Sequence, residues 1–191
     1  WIYYSTLFGA AMAIILNSLF MALVFFIYHL VRRTVFKSRG GYYVLIIFWI
    51  TFEFLHLDWD LSWSWLNLGN GFANYPQFIQ WYEFTGVFGG DVWILLINIL
   101  LYKLLISVFK SFRSRREFYL YGTSAVLSLL IPLAVSLTMY YSYTEKNDPY
   151  ECVVVQPNID PYNEKFEGMT IQQQLDKILT LAKKKVTAQT D

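Results

Sequence analysis

The residues whose types and spacing suit chemistry lie in two stretches. The first is FEFLHLDWDLSWSWLNLGN, residues 52–70, continuing to YEFTGVFGG at 82–90. Glu53 sits there inside an apolar run. A carboxylate at the bilayer centre costs about 2.5–3.5 kcal/mol on insertion scales, and less near the interface. Such a group needs a partner, and two roles are open to it: a hydrogen bond to another helix, or contact with a substrate. Trp59, Trp63 and Trp65 fall within seven residues. Their rings suit an interfacial belt, the favoured reading for Trp59 and Trp63, and three so close together also suit a wall against acyl chains or headgroups. The second stretch is VVVQPNIDPYNEKF, residues 153–166. A β-branched run ending in Gln156, Pro157 and Asn158 reads as a strand. It places Gln156 and Asn158 at the strand's C-terminal end, where α/β domains bind ligands.

Other reactive types carry less. Cys152 is the single cysteine, so no internal disulfide forms, and no CxxC or His-rich pattern marks a metal site. At the head of an apolar strand it reads as a small apolar filler. Cys152, Glu164 and Lys165 have the types of a catalytic triad but nothing in their placement joins them. No cofactor, metal or nucleic-acid partner is expected.

The elements that must position these residues are membrane helices. Of 191 residues, 56% are hydrophobic and 20% aromatic, more apolar side chain than a soluble domain of this size covers. Four apolar runs stand out, at about 5–31, 41–57, 86–109 and 118–143. About 20 residues cross the roughly 30 Å hydrocarbon core. Three runs reach that length easily; the second is shorter and carries Glu53. Arg32, Arg33, Lys37 and Arg39 follow the first run, and Lys110, Arg113, Arg115 and Arg116 follow the third. Residues 58–85 contain no Lys or Arg. The positive-inside rule puts both basic loops in the cytoplasm and the Trp-bearing loop outside, with everything after Tyr143 on that same outer side. Within the spans, Asn17 is expected to bond a neighbouring helix. Asn98 lies centrally in the third span, and Lys103 snorkels to the cytoplasmic headgroups. Asp91 lies near an outer end close to water. Pro132 should kink the fourth helix, and Tyr140, Tyr141 and Tyr143 form an aromatic belt.

Beyond the polar linker TEKNDPYE, the strand at Val153–Val155 precedes an amphipathic helix. Ile171, Leu175, Ile178, Leu179 and Val186 recur at helical spacing, behind a Thr170 N-cap. A strand and then a helix is how an α/β domain starts. The expected fold class is thus a multi-pass helical membrane domain, residues 1–143, followed at 144–191 by the opening of an α/β domain. With Trp1 at one end and a helix at the other, the chain reads as the middle of a longer protein.

The two stretches together resemble a known family. The pattern E-F-L-x(9)-W-L-x-x-G, formed by Glu53, Phe54, Leu55, Trp65, Leu66 and Gly69 and followed by Gln80, Gly86 and Asn98, is similar to the membrane part of apolipoprotein N-acyltransferases. Val155-Gln156-x-Asn158 with Lys165-Phe166 resembles the opening strand of that family's nitrilase-like domain. Two positions depart from the family. His56 stands where Arg is frequent, and Trp63-Ser64-Trp65 stands where Phe-Pro-Trp is frequent. A His replaces an Arg charge only when protonated.

The resemblance implies a bacterial inner-membrane enzyme whose nitrilase-like domain faces the periplasm. It implies a phospholipid acyl donor, a thioester on a cysteine, and transfer to the α-amino group of a lipoprotein's diacylglyceryl-cysteine. The family's Glu base, oxyanion-stabilising Lys and Cys nucleophile match no position in these residues, so no catalytic residue is assigned. Glu53, His56, Trp63, Trp65 and Gln80 become candidates for contact with lipid or substrate, and Gln156 and Asn158 for the ligand side of the second domain. Alternatives are another membrane-anchored nitrilase-type amidase or acyltransferase, and a non-enzymatic transporter subunit. The transporter would call for paired intramembrane charges or broken helices.

Overall fold

The computed structural model describes residues 7–109, 115–145, 147, 150–161, 163–166, 168–187 and 190. It divides into two units, Trp1–Tyr143 and Thr144–Asp191.

The first unit contains α1 (Leu7–Thr34), α2 (Tyr43–Leu55), α3 (Tyr82–Phe109) and α4 (Arg115–Ser142). Three 3-10 turns, Ser64–Leu66, Leu68–Phe72 and Pro76–Phe78, join α2 to α3. Helices α1, α3 and α4 have 28 residues each and are long and apolar enough to cross a membrane. They turn side chains such as Phe8, Ile14, Phe26, Leu105 and Ile131 outward, as a lipid solvent permits. Helix α2 corrects the expectation of four full spans. Its 13 residues extend only about 20 Å. Gly40 and Gly41, at φ 80° and 71°, delay its start, and a turn at His56 ends it.

α1 packs on α2, α2 on α3, and α3 on α4. Val24, Trp49 and Leu95, from α1, α2 and α3, form the buried cluster, with Phe48, Phe52 and Leu68 against it. At one end of this unit Arg32 donates to the Tyr42 hydroxyl (3.0 Å) and to the Gly40 carbonyl (3.2 Å). Its guanidinium lies 4.5 Å from the Tyr42 ring centre. Lys103 stands over the rings of Tyr121 and Tyr42, at 5.0 and 5.4 Å. Arg32 and Lys103 are thus held by aromatic faces, a cation–π arrangement. Lys110 and Arg113 lie outside the described residues.

One smaller expectation is corrected. Among the described residues the Asn17 side chain bonds its own helix and no neighbouring one; its amide donates to Ala13 O, one turn back in α1, at 2.9 Å. Asn98 does the same with Ile94 O at 2.8 Å. Helix α4 continues through Pro132 as one element.

In the second unit α5 spans Ile171–Lys183 behind a capping box. Thr170 Oγ1 accepts from the Gln173 amide and the Gln173 side chain accepts from the Thr170 amide, which satisfies two otherwise orphaned N–H groups. Gln174 donates to the carbonyls of Lys165 and Met169, and Lys177 pairs with Glu164 at 3.6 Å. These contacts fasten the 160–169 loop to the helix start. The expected strand at Val153–Val155 is not formed: among the described residues there is no strand. From Glu151 to Asn158 the side chains nonetheless alternate between exposed and half-buried after Cys152, the period of an extended chain. A strand is defined by its hydrogen-bonded neighbour, and none is present here. Cys152 is exposed, contrary to its reading as a filler.

Candidate functional site

The site builds up from Glu53, near the end of α2. It is 4% exposed. Its Oε1 accepts from the indole N–H of Trp49, one turn earlier, at 2.8 Å, and from the backbone amide of Leu68 at 3.1 Å. The next amide, Gly69, donates to Oδ1 of Asp91 on α3. Consecutive N–H groups of one 3-10 turn therefore bond two carboxylates from two helices. Asp91 is completely buried, not solvated as its place near a helix end suggested.

The fit around this pair depends on glycine. A Cβ on Gly69 would strike the Val87 carbonyl, and one on Gly90 would strike the Tyr82 hydroxyl. Tyr82 donates to Gly69 O at 3.1 Å. Gly86, at φ 64° and ψ −170°, breaks the first turn of α3, so the regular helix follows it and the Tyr82 turn bends toward the loop. A left-handed φ of this kind favours glycine.

His56 is also buried, at 6% exposure. Its Nδ1 accepts from the Trp59 indole at 2.8 Å. An indole N–H only donates, so Nδ1 carries no proton and the imidazole is neutral. The ring stacks on Phe52 at 5.2 Å and meets Phe20 edge-on at 5.8 Å. His56 therefore does not supply the charge of the Arg that is frequent in the family. With Phe20, Leu23, Phe48, Phe52 and Trp59 it lines an apolar groove of about 620 Å³ between α1 and α2.

Trp63 and Trp65 stand together with ring centres 5.4 Å apart, and Trp65 is 55% exposed. Gln80 is half-buried. Its backbone N–H donates to Ser136 Oγ on α4 and its side chain donates to Pro76 O at 2.8 Å, so it fastens the loop. Gln156 and Asn158 belong to the second unit, are exposed, and Asn158 has φ 49°. The structure thus brings Glu53 together with the turn that follows Trp65, places His56 on a groove beside it, and makes Gln80 an anchor. It adds Asp91, Tyr82 and Ser136, which sequence reasoning missed. A second acidic residue in an apolar helix was the available signal for Asp91; Ser136 offered none. Among the described residues no group of three metal-ligating side chains occurs.

This arrangement, apolar helices joined by a turn-rich aromatic loop clamped onto two buried carboxyls, defines a lipid-embedded helical domain with a structured rim. Residues 1–100 match the family described as apolipoprotein N-acyltransferase N-terminal domain. The chain belongs to that family. It is similar to the apolipoprotein N-acyltransferase of Chlorobaculum tepidum (strain ATCC 49652 / DSM 12025 / NBRC 103806 / TLS), with 27% identity over 194 residues that cover 95% of this chain and 33% of the relative. The chain thus spans about a third of that relative's length. No solved structure matches it.

Proposed function

We propose that the protein containing this chain N-acylates lipoproteins in the bacterial inner membrane, and that these residues form part of its lipid-facing platform. A phospholipid ester carbonyl is attacked by a cysteine thiolate. The thioester forms as the lysophospholipid alkoxide leaves and takes a proton. The α-amino group of a diacylglyceryl-cysteine then attacks the thioester, the thiolate departs, and the nitrogen loses a proton as the amide forms. Splitting the transfer in this way replaces one hard step with two easier ones. The Glu, Lys and Cys for these steps are assigned to residues outside this chain. Residues 144–191 open a nitrilase-like domain on the periplasmic side, with Gln156 and Asn158 toward its ligand. The Trp63–Trp65 rim and the groove beside His56 offer surfaces of the apolar chemistry an acyl chain needs.

The observation that carries this reading is the family match over residues 1–100, within which the Glu53 and Trp65 rim lies. The test uses the full-length protein in phospholipid vesicles with a diacylglyceryl-cysteine peptide. Mass spectrometry should show the peptide gaining one acyl chain. Trp65→Ala should slow that gain without lowering expression. A peptide that gains no acyl group would overturn the proposal, and undiminished transfer by Trp65→Ala would remove the rim from the lipid path.

A further inference from the structure

At the start of α2, the far end of that helix from the Trp63–Trp65 rim, four helix ends gather two cations on one ring. Arg32 of α1 and Lys103 of α3 lie 4.5 and 5.4 Å from the ring centre of Tyr42, and Lys103 also lies 5.0 Å from that of Tyr121 on α4. All four residues are half-buried. A ring face attracts a cation but carries no net charge, so the two positive charges stay uncompensated. Among the described residues neither has an ion-pair partner, and no acidic residue occurs at 27–46 or 99–116. Arg33, Lys37 and Arg39, all exposed, add charge of the same sign. The loop that carries them is tightly wound, with Lys37, Ser38, Gly40 and Gly41 at φ 48°, 61°, 80° and 71°, a conformation that is costly for Lys and Ser. Arg32 is fixed in it by its bonds to Gly40 O and the Tyr42 hydroxyl. Lys103 is held only by ring faces among the described residues, which leaves its three N–H donors for another group. It lies six residues before the end of α3 at Phe109, about 9 Å along the axis, near the exposed side chains of Leu105 and Phe109. From there an ammonium on its flexible stem reaches the boundary between hydrocarbon and headgroups. An anion from water would have to pass apolar side chains to arrive there, whereas a lipid brings its phosphate on apolar chains. We propose that Arg32 and Lys103, gathered on Tyr42, hold the phosphate of an anionic phospholipid in the leaflet on the basic side of the domain, as basic pockets between membrane helices do. This inference does not depend on acyl transfer, because its test reads lipid binding and not turnover.

Native mass spectrometry of the full-length protein in detergent tests this, with phosphatidylglycerol and phosphatidylethanolamine of identical acyl chains added in equal amounts. The protein should retain phosphatidylglycerol over phosphatidylethanolamine by about fivefold or more, the effect of one cation near a headgroup. Lys103→Met keeps an apolar stem, loses the charge, and should bring the two lipids close to parity. Lys103→Arg should keep the preference. Lys184→Gln removes the same charge from an exposed position after α5 and should leave the preference unchanged. Arg32→Gln should weaken it as Lys103→Met does; if that variant does not fold, the Lys103 variants decide alone. Millimolar inorganic phosphate should not displace the bound lipid. Equal retention of the two lipids by the unmodified protein overturns the proposal. An unchanged preference in Lys103→Met, or an equal loss in Lys184→Gln, overturns this site, and displacement by inorganic phosphate overturns its assignment to a lipid.

Discussion

The backbone N–H of Gln80 ends on the hydroxyl of Ser136, across 56 residues of sequence. Ser136 is completely buried and lies in α4, so this bond ties the loop's last turn to a helix it does not precede. Trp93 ties α3 itself to α4 by donating to Ser128 O at 2.6 Å. Ser136→Ala strands the Gln80 amide. The expected cost is about 1–3 kcal/mol, the penalty for an unsatisfied buried donor. Thermal unfolding of the detergent-solubilised full-length protein checks it, with Thr138→Ala, whose exposed hydroxyl bonds only its own helix at Ala134 O, as the neutral control.

Gly69 and Gly90 meet backbone to backbone. Gly69→Ala places a methyl group against the Val87 carbonyl, which belongs to α3 and cannot rotate away. The expected loss is about 1–3 kcal/mol, as for overpacking elsewhere. Gly71→Ala, with open space at its Cβ, should change stability little. The same unfolding measurement separates the two.

The proposed orientation has a direct check. In a Cys152→Ala background, a cysteine replacing exposed Asn74 should react with an impermeant thiol reagent in intact spheroplasts, and one replacing Ser38 should not. The reverse pattern would place the Trp-bearing loop in the cytosol and end the lipoprotein reading.

Thr170→Ala removes half of the capping box of α5. A lost N-cap costs about 0.5–2 kcal/mol, and because the contact is local it is measurable in a peptide of residues 168–187. Circular dichroism at low temperature should show reduced helicity, with Thr170→Asp restoring it.

The helices were legible because long apolar runs leave few alternatives. α1, α3 and α4 fall on their runs to within a few residues. α2 was overestimated at both ends because hydropathy counts residues and does not see where glycines and turns unwind them. Glu53 drew attention through its charge in apolar surroundings. Asp91 was misjudged because a residue near a helix end meets water or protein according to what covers that end. The cover is the Leu68–Phe72 turn, whose place is set by contacts far apart in sequence. His56 was weighed as a partial cation, and only its bond from Trp59 shows it to be neutral. The strand at Val153–Val155 had the right composition and an alternating exposure, but pairing is not a property of one segment.

A helix of 13 residues in a hydrocarbon layer of about 30 Å has a consequence for the bilayer itself. Either the lipid leaflet dimples toward the end of α2, or the chain that follows sits below the headgroups. Irregular backbone survives at that depth only under protein cover. Here that cover is provided by i→i+3 turns, aromatic rings and two sealed acids. In the second case the rim of this domain would be a recess in the membrane floor, and a lipid tail alongside it would meet the exposed ring of Trp65 before it met water.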